Sequence, residues 1–298
     1  MRTPALRRSF LFAAGADANA HAAALAARPD VLIQDLEDFT PDHLKEAACR
    51  QAAELYAEAR RTGIIAAVRI NSLESRGTED LAAVIPARPQ LVLLPKAVSG
   101  LQIAALAREL DRLETIHGML AARIEIVPTI ETAAGVMNLA EIIRASVRVK
   151  SALLGAEDLA SDLLAERSPQ AEEIAYARSR FLLEARALSI EPIDAPYTFS
   201  DSEGCERESR RSRRLGYRNK SAVLPAQVAV IHQVFTPGND EIASATKIVH
   251  AFEVARAEGR DRPLVNGLWI EPPAYFNAKR LLERAHMLES LGKEGGLG

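Results

Sequence analysis

The chain is poor in several things that would have narrowed its role. It holds two cysteines, one tryptophan and only 5% aromatic residues in 298. Cys49 and Cys205 lie far apart on helix-like segments with no metal- or disulfide-type spacing around them, and read as reduced thiols. No apolar run reaches the ~20 residues that span a bilayer. The apolar part of "MRTPALRRSFLFAAGADANA", Phe10 to Ala14, is shorter than the ~7–15 residues of a signal-peptide core, and Asp17 follows closely. It reads as a first strand. A net charge of −3 supplies no field that would attract a nucleic acid or a membrane surface. The expectation is a cytoplasmic globular chain with neither partner.

The remaining composition is that of a well-packed enzyme-sized domain, 48% hydrophobic and 26% charged. Short β-branched or leucine-rich runs alternate with longer segments of helical periodicity. The strand candidates cover 8–14, 31–37, 64–71, 91–96, 124–131, 150–158, 190–197 and 220–225. Thr40-Pro41, Ser99 and Asp201 are plausible helix starts. Eight strand–helix units predict an α/β fold of the (β/α)8 TIM-barrel type over residues 1–236. The competing open doubly wound sheet would want G-x-G-x-x-G after its first strand, and "AAGADANA" is not that. Residues 237–298 read as a C-terminal helical extension, with helices near 241–258 and 273–291 flanking the irregular stretch "PLVNGLWIEPP".

In a barrel, chemistry sits at the C-terminal ends of the strands. Polar residues concentrate there: Asp35, Glu37 and Asp38 after the second strand, Arg69 and Asn71 after the third, Lys96 after the fourth. Glu131 follows the fifth, Glu157 and Asp158 the sixth, Asp194 and Tyr197 the seventh. One such carboxylate is readily a helix cap or turn residue; the same pattern on successive strands points to an active site. All six histidines fall in helix-like segments, which argues against a zinc site and against Cys–His or Ser–His nucleophile pairs. Two or three carboxylates with room for water suit a hard cation such as Mg²⁺, and an arginine beside it suits a developing anion. This fits metal-assisted enolate chemistry and phosphoryl chemistry alike. Lys96 stands where Schiff-base aldolases place their lysine, but a ring of acids raises its pKa and favours ion pairing.

The motifs "RRSFLFAAG", "DVLIQDLEDFTP", "AVRINSLES", "VLLPKA", "IVPTIETAAGVMNLAEI", "LLGAEDLASDL", "APYTFSDSEG" and "SAVLPAQVAVIHQVFTPGNDEI" follow one another from about Arg7 to Ala285. In that order they resemble the citrate lyase β-subunit-like family, the CoA-ester lyase branch of the HpcH/HpaI aldolases. The resemblance implies a TIM barrel assembling as a homotrimer or hexamer, with the C-terminal extension a lid packed on a neighbouring subunit. It implies a Mg²⁺-dependent lyase, with Mn²⁺ as the alternative ion. Such a lyase cleaves or forms the carbon–carbon bond of a 3-hydroxyacyl-CoA thioester such as malyl-, citramalyl- or citryl-CoA. Glu131 and Asp158 are the implied metal ligands, Arg69 the enolate-stabilising cation, and Asp35, Glu37 and Asp38 the carboxylates that hold metal waters and orient Arg69 and Lys96. Glu271, in "GLWIEPP", stands where relatives carry a catalytic aspartate.

The chain departs from that pattern in four places. "AAG" replaces "VPG" after the first strand without the usual basic residue, and Leu224 replaces a histidine. Glu271 is one methylene longer than the residue it replaces. The run "CERESRRSRRLGYRNK" is unusually arginine-rich, reading as a solvated helix face or as a contact for CoA phosphates. Alternatives on the same scaffold are an aldolase for free 2-oxo acids, an acyl-CoA thioesterase, and a catalytically idle acyl-CoA-binding subunit.

Overall fold

Strands buried on both faces need continuous apolar runs, and eight short runs here supply them. In a computed structural model, which describes residues 2–294, they form β1 (Ser9–Ala14), β2 (Val31–Asp35), β3 (Ile65–Arg69), β4 (Leu91–Leu94), β5 (Glu125–Ile130), β6 (Ser151–Leu154), β7 (Glu191–Ile193) and β8 (Lys220–Ala222). All pair in parallel, in the order β7-β6-β5-β4-β3-β2-β1-β8. The last seam, between β7 and β8, is closed by an Asp194–Lys220 bridge and by Ser221 N–H donating to Asp194 O at 3.0 Å. The expected α/β (β/α)8 barrel is therefore the observed architecture.

Helices α1 (Ala18–Ala26), α2 (Lys45–Arg61), α3 (Gly77–Val84) and α4 (Gly100–Ile116) follow the first four strands. The connection after β5 holds α5 (Ala133–Met137) and α6 (Leu139–Arg144), and that after β6 holds α7 (Glu157–Asp162) and α8 (Ala175–Ala187). Helix α9 (Ser202–Leu215) follows β7 and α10 (Gln227–Phe235) follows β8. Ser99 and Asp201 do precede helices: Gln102 Oε1 accepts from Ser99 N at 3.3 Å, and Asp201 Oδ1 accepts from Gly204 N at 2.5 Å. Thr40-Pro41 does not. A 3₁₀ turn at Asp42–Leu44 intervenes and α2 begins at Lys45, because the Thr40 hydroxyl is used elsewhere: it accepts from Gly15 N at 2.7 Å and donates to Asp35 O.

The barrel interior is filled by residues two apart on each strand: Phe10 and Phe12, Val31 and Ile33, Ile65 and Ala67, Leu91 and Leu93, with Val127, Leu153 and Ile193. Period-two alternation carries the same inward rows upward into charge. Val31-Ile33 continues to Asp35, Ile65-Ala67 to Arg69, and Val127-Thr129 to Glu131. At the opposite end, buried acids are met by cations. Arg7 grips Glu125 through both oxygens at 2.7 and 2.9 Å, and Arg148 pairs with buried Glu114 at 2.6 Å.

The chain divides at Val234–Phe235. The second unit contains α11 (Asn239–Ala257) and α12 (Pro272–Glu294), with Phe252 stacked on Tyr275 at 4.5 Å. The irregular stretch between them is a small hairpin, β9 (Leu264–Val265) against β10 (Leu268–Trp269), turned by Asn266 (φ 50°) and Gly267 (φ 78°). Both central residues have positive φ, as an Asn-Gly hairpin turn requires. Among the described residues no helix is long and apolar enough to cross a membrane.

Asp194, placed by the sequence among the strand-end acids, is a seam residue. It is fully buried, takes Arg178 Nε and Nη2 at 2.7 and 2.6 Å, and takes Lys220 Nζ at 2.6 Å; Glu208 completes the cluster. Burial pushes its pKa up, but the two cations outweigh burial and hold it at about 2. Asp194→Ala would leave Arg178 and Lys220 buried without their main anion, and is expected to cost about 3–5 kcal/mol in urea unfolding. Because the folded pKa is depressed, the stability that Asp194 confers is complete above the unfolded value of ~3.9 and lost as pH falls through about 2. Equilibrium unfolding between pH 5 and 2 should show this loss in the wild type and not in Asp194→Asn.

Candidate active site

Asp35 and Arg69 are register partners on β2 and β3, so their inward side chains meet directly above the core. Arg69 Nη2 binds Asp35 Oδ2, Nε donates to the same oxygen at 3.1 Å, and Nη1 lies 2.8 Å from Glu37 Oε2. Asp38 stands further off, at 3.9 Å. The guanidinium also lies over the rings of Phe12 and Phe39, at 5.1 and 5.7 Å to their centroids. This is a fixed, water-poor cation: burial lowers its pKa, and Asp35 and Glu37 more than restore it. A planar fork held on two sides keeps one orientation, which a lysine could not.

Lys96 breaks the inward rhythm. It follows Pro95 with φ 47°, and its half-exposed ammonium lies 3.4 Å from Asp158 Oδ1 and 3.8 Å from Glu37 Oε1. Burial lowers its pKa, but the carboxylates around it, Asp158 and Glu37 foremost, together leave it raised, the reverse of what a Schiff-base lysine needs.

Glu131 and Asp158 come from neighbouring strands. Glu131 follows β5 and is 2% exposed; Asp158 is the second residue of α7, just beyond β6. The acids of "GAED" thus open a short helix rather than end a strand, since β6 stops at Leu154. Gly155 lets the two approach: a Cβ there would stand 2.9 Å from Glu131 Cγ. Glu157 turns away to Arg167 at 2.9 Å and to the Thr198 hydroxyl at 2.6 Å.

The acids outnumber their cations. Burial, then the hydrogen bond with Asp158, pushes Glu131 up to about 8; burial pushes Glu37 up to about 7 despite Arg69. Glu131 Oε1 is buried without a hydrogen-bond partner. Among the described residues no three His, Cys, Asp or Glu side chains close into a metal cage. Two carboxylates, one with a buried unused oxygen, fit an ion that keeps most of its waters, as Mg²⁺ does. Glu131, Asp158, Arg69, Asp38 and Phe39 share a cavity of about 320 Å³ with Phe12, Thr129, Leu153, Pro196 and Val223.

The structure therefore brings together Asp35, Glu37, Asp38, Arg69, Lys96, Glu131 and Asp158. Glu271 belongs to the second unit, where it pairs with Arg262, itself 5.5 Å over the Trp269 ring. Asn71 and Tyr197 are structural. Asn71 accepts from Lys45 at 2.7 Å and donates to Leu36 O at 2.9 Å, and the Tyr197 hydroxyl donates to Asp201 at 2.6 Å. The arginine-rich run is the outer face of α9, with Arg210 on Glu206 at 2.6 Å and Arg207 near Glu203 at 3.7 Å. Thr129 and Phe39 were missed from sequence. Thr129's signal is its place two residues before Glu131 on one strand; Phe39 is an apolar residue inside an acidic loop.

Raised folded-state pKa values set a stability profile opposite in sign to that of Asp194. The contribution of Glu37 and Glu131 is complete below the unfolded carboxyl value and is lost as pH rises through about 7 and about 8. Metal-free protein in EDTA is expected to lose on the order of 1 kcal/mol per pH unit for each group across pH 5.5–7. Melting temperatures should fall over that range, and Glu131→Gln should flatten the slope. A flat wild-type profile would contradict the protonated pair.

The HpcH/HpaI aldolase/citrate lyase family pattern matches residues 8–225. The chain is 31% identical to "Citrate lyase subunit beta" of Escherichia coli (strain K12), over 94% of each chain. It is 29% identical to a "(3S)-malyl-CoA thioesterase" of Cereibacter sphaeroides (strain ATCC 17025 / ATH 2.4.3), over 96% of each. Among solved structures, protein CitE from Mycobacterium tuberculosis in complex with magnesium, acetoacetate and coenzyme A superposes with a TM-score of 0.77 at 27% identity, covering 95% of this chain and 99% of that one. With its barrel, its acidic strand ends and this match over most of its length, the chain belongs to the HpcH/HpaI aldolase/citrate lyase family.

Proposed function

We propose that the protein is a Mg²⁺-dependent carbon–carbon lyase acting on a 3-hydroxyacyl-CoA thioester and releasing an acyl-CoA and a 2-oxo acid. The observation that carries the reading is the two-sided charge of the cavity. A carboxylate pair with an unused buried oxygen lies on one side, and a clamped guanidinium on the other. Relatives named for citryl and malyl substrates, and a structural neighbour holding magnesium and coenzyme A, support it.

Glu131 and Asp158 would hold the ion. Bound there, Mg²⁺ supplies a Lewis acid for the oxygens of the 2-oxo acid half. In cleavage, the substrate hydroxyl gives its proton to a base and becomes the carbonyl of the 2-oxo acid. The carbon–carbon bond breaks, its electron pair passes into the thioester enolate, and an acid returns a proton to the enolate carbon. Arg69 provides fixed positive charge for the enolate oxygen, and needs no reorganisation because Asp35 and Glu37 already orient it. Arg69 is itself one of the residues that line the cavity. Lys96 restrains Glu37 and Asp158 from the rim. Glu271 is proposed as a proton-transfer group, supplied by a neighbouring copy in a homotrimer or hexamer. The exposed Leu264, Leu268 and Trp269 of its hairpin support such an assembly.

The test is cleavage of malyl-, β-methylmalyl-, citramalyl- and citryl-CoA with Mg²⁺ and with EDTA, following 2-oxo acid and free thiol separately. Metal-dependent 2-oxo acid release without thiol is expected. Thiol release alongside it would make the protein a thioesterase, and silence across the panel would sink the reading. Arg69→Lys is expected to lower kcat by about 10²–10³, the cost of losing one well-placed charge donor. Gly155→Ala, whose Cβ would meet Glu131 Cγ at 2.9 Å, should weaken Mg²⁺ binding while the barrel stays folded by circular dichroism.

A further inference from the structure

Beside its charged residues the cavity has an apolar lining of Leu153, Pro196, Val223 and Phe12, the last with the Arg69 guanidinium 5.1 Å from its ring centroid. Thr129 faces the same space, 2% exposed, with its Oγ1 buried and without a hydrogen-bond partner. A buried hydroxyl left unpaired destabilises the free protein, and it regains that free energy when a ligand oxygen completes the bond. Charge in the lining is one-sided: with Glu157 taken by Arg167, the carboxylates Asp38, Glu131 and Asp158 share the lining with the single cation Arg69. Arg69 is already engaged by Asp35 and Glu37, and Lys96 lies outside the lining, between Glu37 and Asp158.

We infer that this cavity takes a 2-oxo acid fragment bearing hydrogen or a short alkyl group, glyoxylate or pyruvate, in preference to the dicarboxylate oxaloacetate, and that the Thr129 hydroxyl is the donor that binds it. The inference rests on the lyase reading and selects a substrate class within it. A second carboxylate would be stripped of water against Leu153, Pro196 and Val223, while the one cation in the lining, Arg69, is held by Asp35 and Glu37 and assigned to the enolate oxygen. A methyl group in the same place gains burial instead. Thr129 lies in β5 two residues before Glu131 and both line the cavity, so a ligand held at the carboxylate pair lies beside the hydroxyl.

The experiment is calorimetric titration of the full-length protein in Mg²⁺ with glyoxylate, pyruvate and oxaloacetate, alongside the thioester cleavage panel. Glyoxylate or pyruvate is expected to bind at least tenfold more tightly than oxaloacetate. Thr129→Val should weaken that binding about tenfold and raise KM more than it lowers kcat. Thr129→Ser should restore it, and Thr129→Val should melt no lower than the wild type, since it deletes an unpaired hydroxyl. Val223→Arg should shift preference toward oxaloacetate and citryl-CoA. Equal or tighter oxaloacetate binding in the wild type overturns the inference and leaves the lyase standing, as does unchanged binding in Thr129→Val. If Thr129→Val fails to fold, the wild-type preference and the serine variant decide. No oxo acid bound and no thioester cleaved would overturn both.

Discussion

The top of this barrel is governed by one shortage: too few cations for its carboxylates. Asp35, Glu37, Asp38, Glu131 and Asp158 gather around Arg69, with Lys96 reaching in from the rim. Like charges in a water-poor space cannot all ionise, and the structure shows where the strain falls. Burial outweighs Arg69 at Asp35 and at Glu37 alike and raises both, and Glu37 and Glu131 are left to hold protons near neutral pH. A divalent cation is the species that relieves this arrangement most directly, because it replaces a proton with a stronger charge at the same oxygens.

The same barrel shows what the alternative looks like. At its other end Arg7 closes on Glu125 and Arg148 on Glu114, and at the β7–β8 seam Arg178 and Lys220 close on Asp194 and Glu208. Those acids sit at or below ordinary carboxylate behaviour where a shift is resolved, as at Glu114 and Asp194. Folding alone would favour that solution everywhere. The unmatched ring departs from that solution, and Thr129, buried and unpaired two residues before Glu131, lies in the same cavity lining.

Much of this was legible in the chain itself, for a physical reason. Strands covered on both faces read as apolar runs, so any charge at their ends stands out, and Asp35, Arg69 and Glu131 were visible as the continuation of inward rows. What the pattern could not separate was use. Asp194 and Glu131 are both strand-end acids. Only the arrival of Arg178 and Lys220 from residues 16 and 26 positions away makes the first structural. Thr40 likewise had the residue type of a helix cap, and tertiary partners took its hydroxyl. The C-terminal hairpin carried a local signal, Asn266-Gly267, but its strands are only two residues each, too short for periodicity to reveal.

A strand-end acid is thus informative only when its counter-charge is accounted for. Glu157 and Asp158 make the case side by side, adjacent in "GAED" and at the first turn of α7. Glu157 is drawn outward by Arg167 and Thr198 and helps anchor the segment between α7 and α8. Asp158 has only Lys96 at 3.4 Å and the carboxyl of Glu131 beside it. Two identical charges one residue apart are assigned to scaffold and to site by what else reaches them. The helical turn makes the assignment, because it points successive side chains about 100° apart. A strand would have sent one acid into the barrel and the other into the helical layer; the short helix keeps both at the rim, where Arg167 takes Glu157 and Asp158 is left beside Glu131.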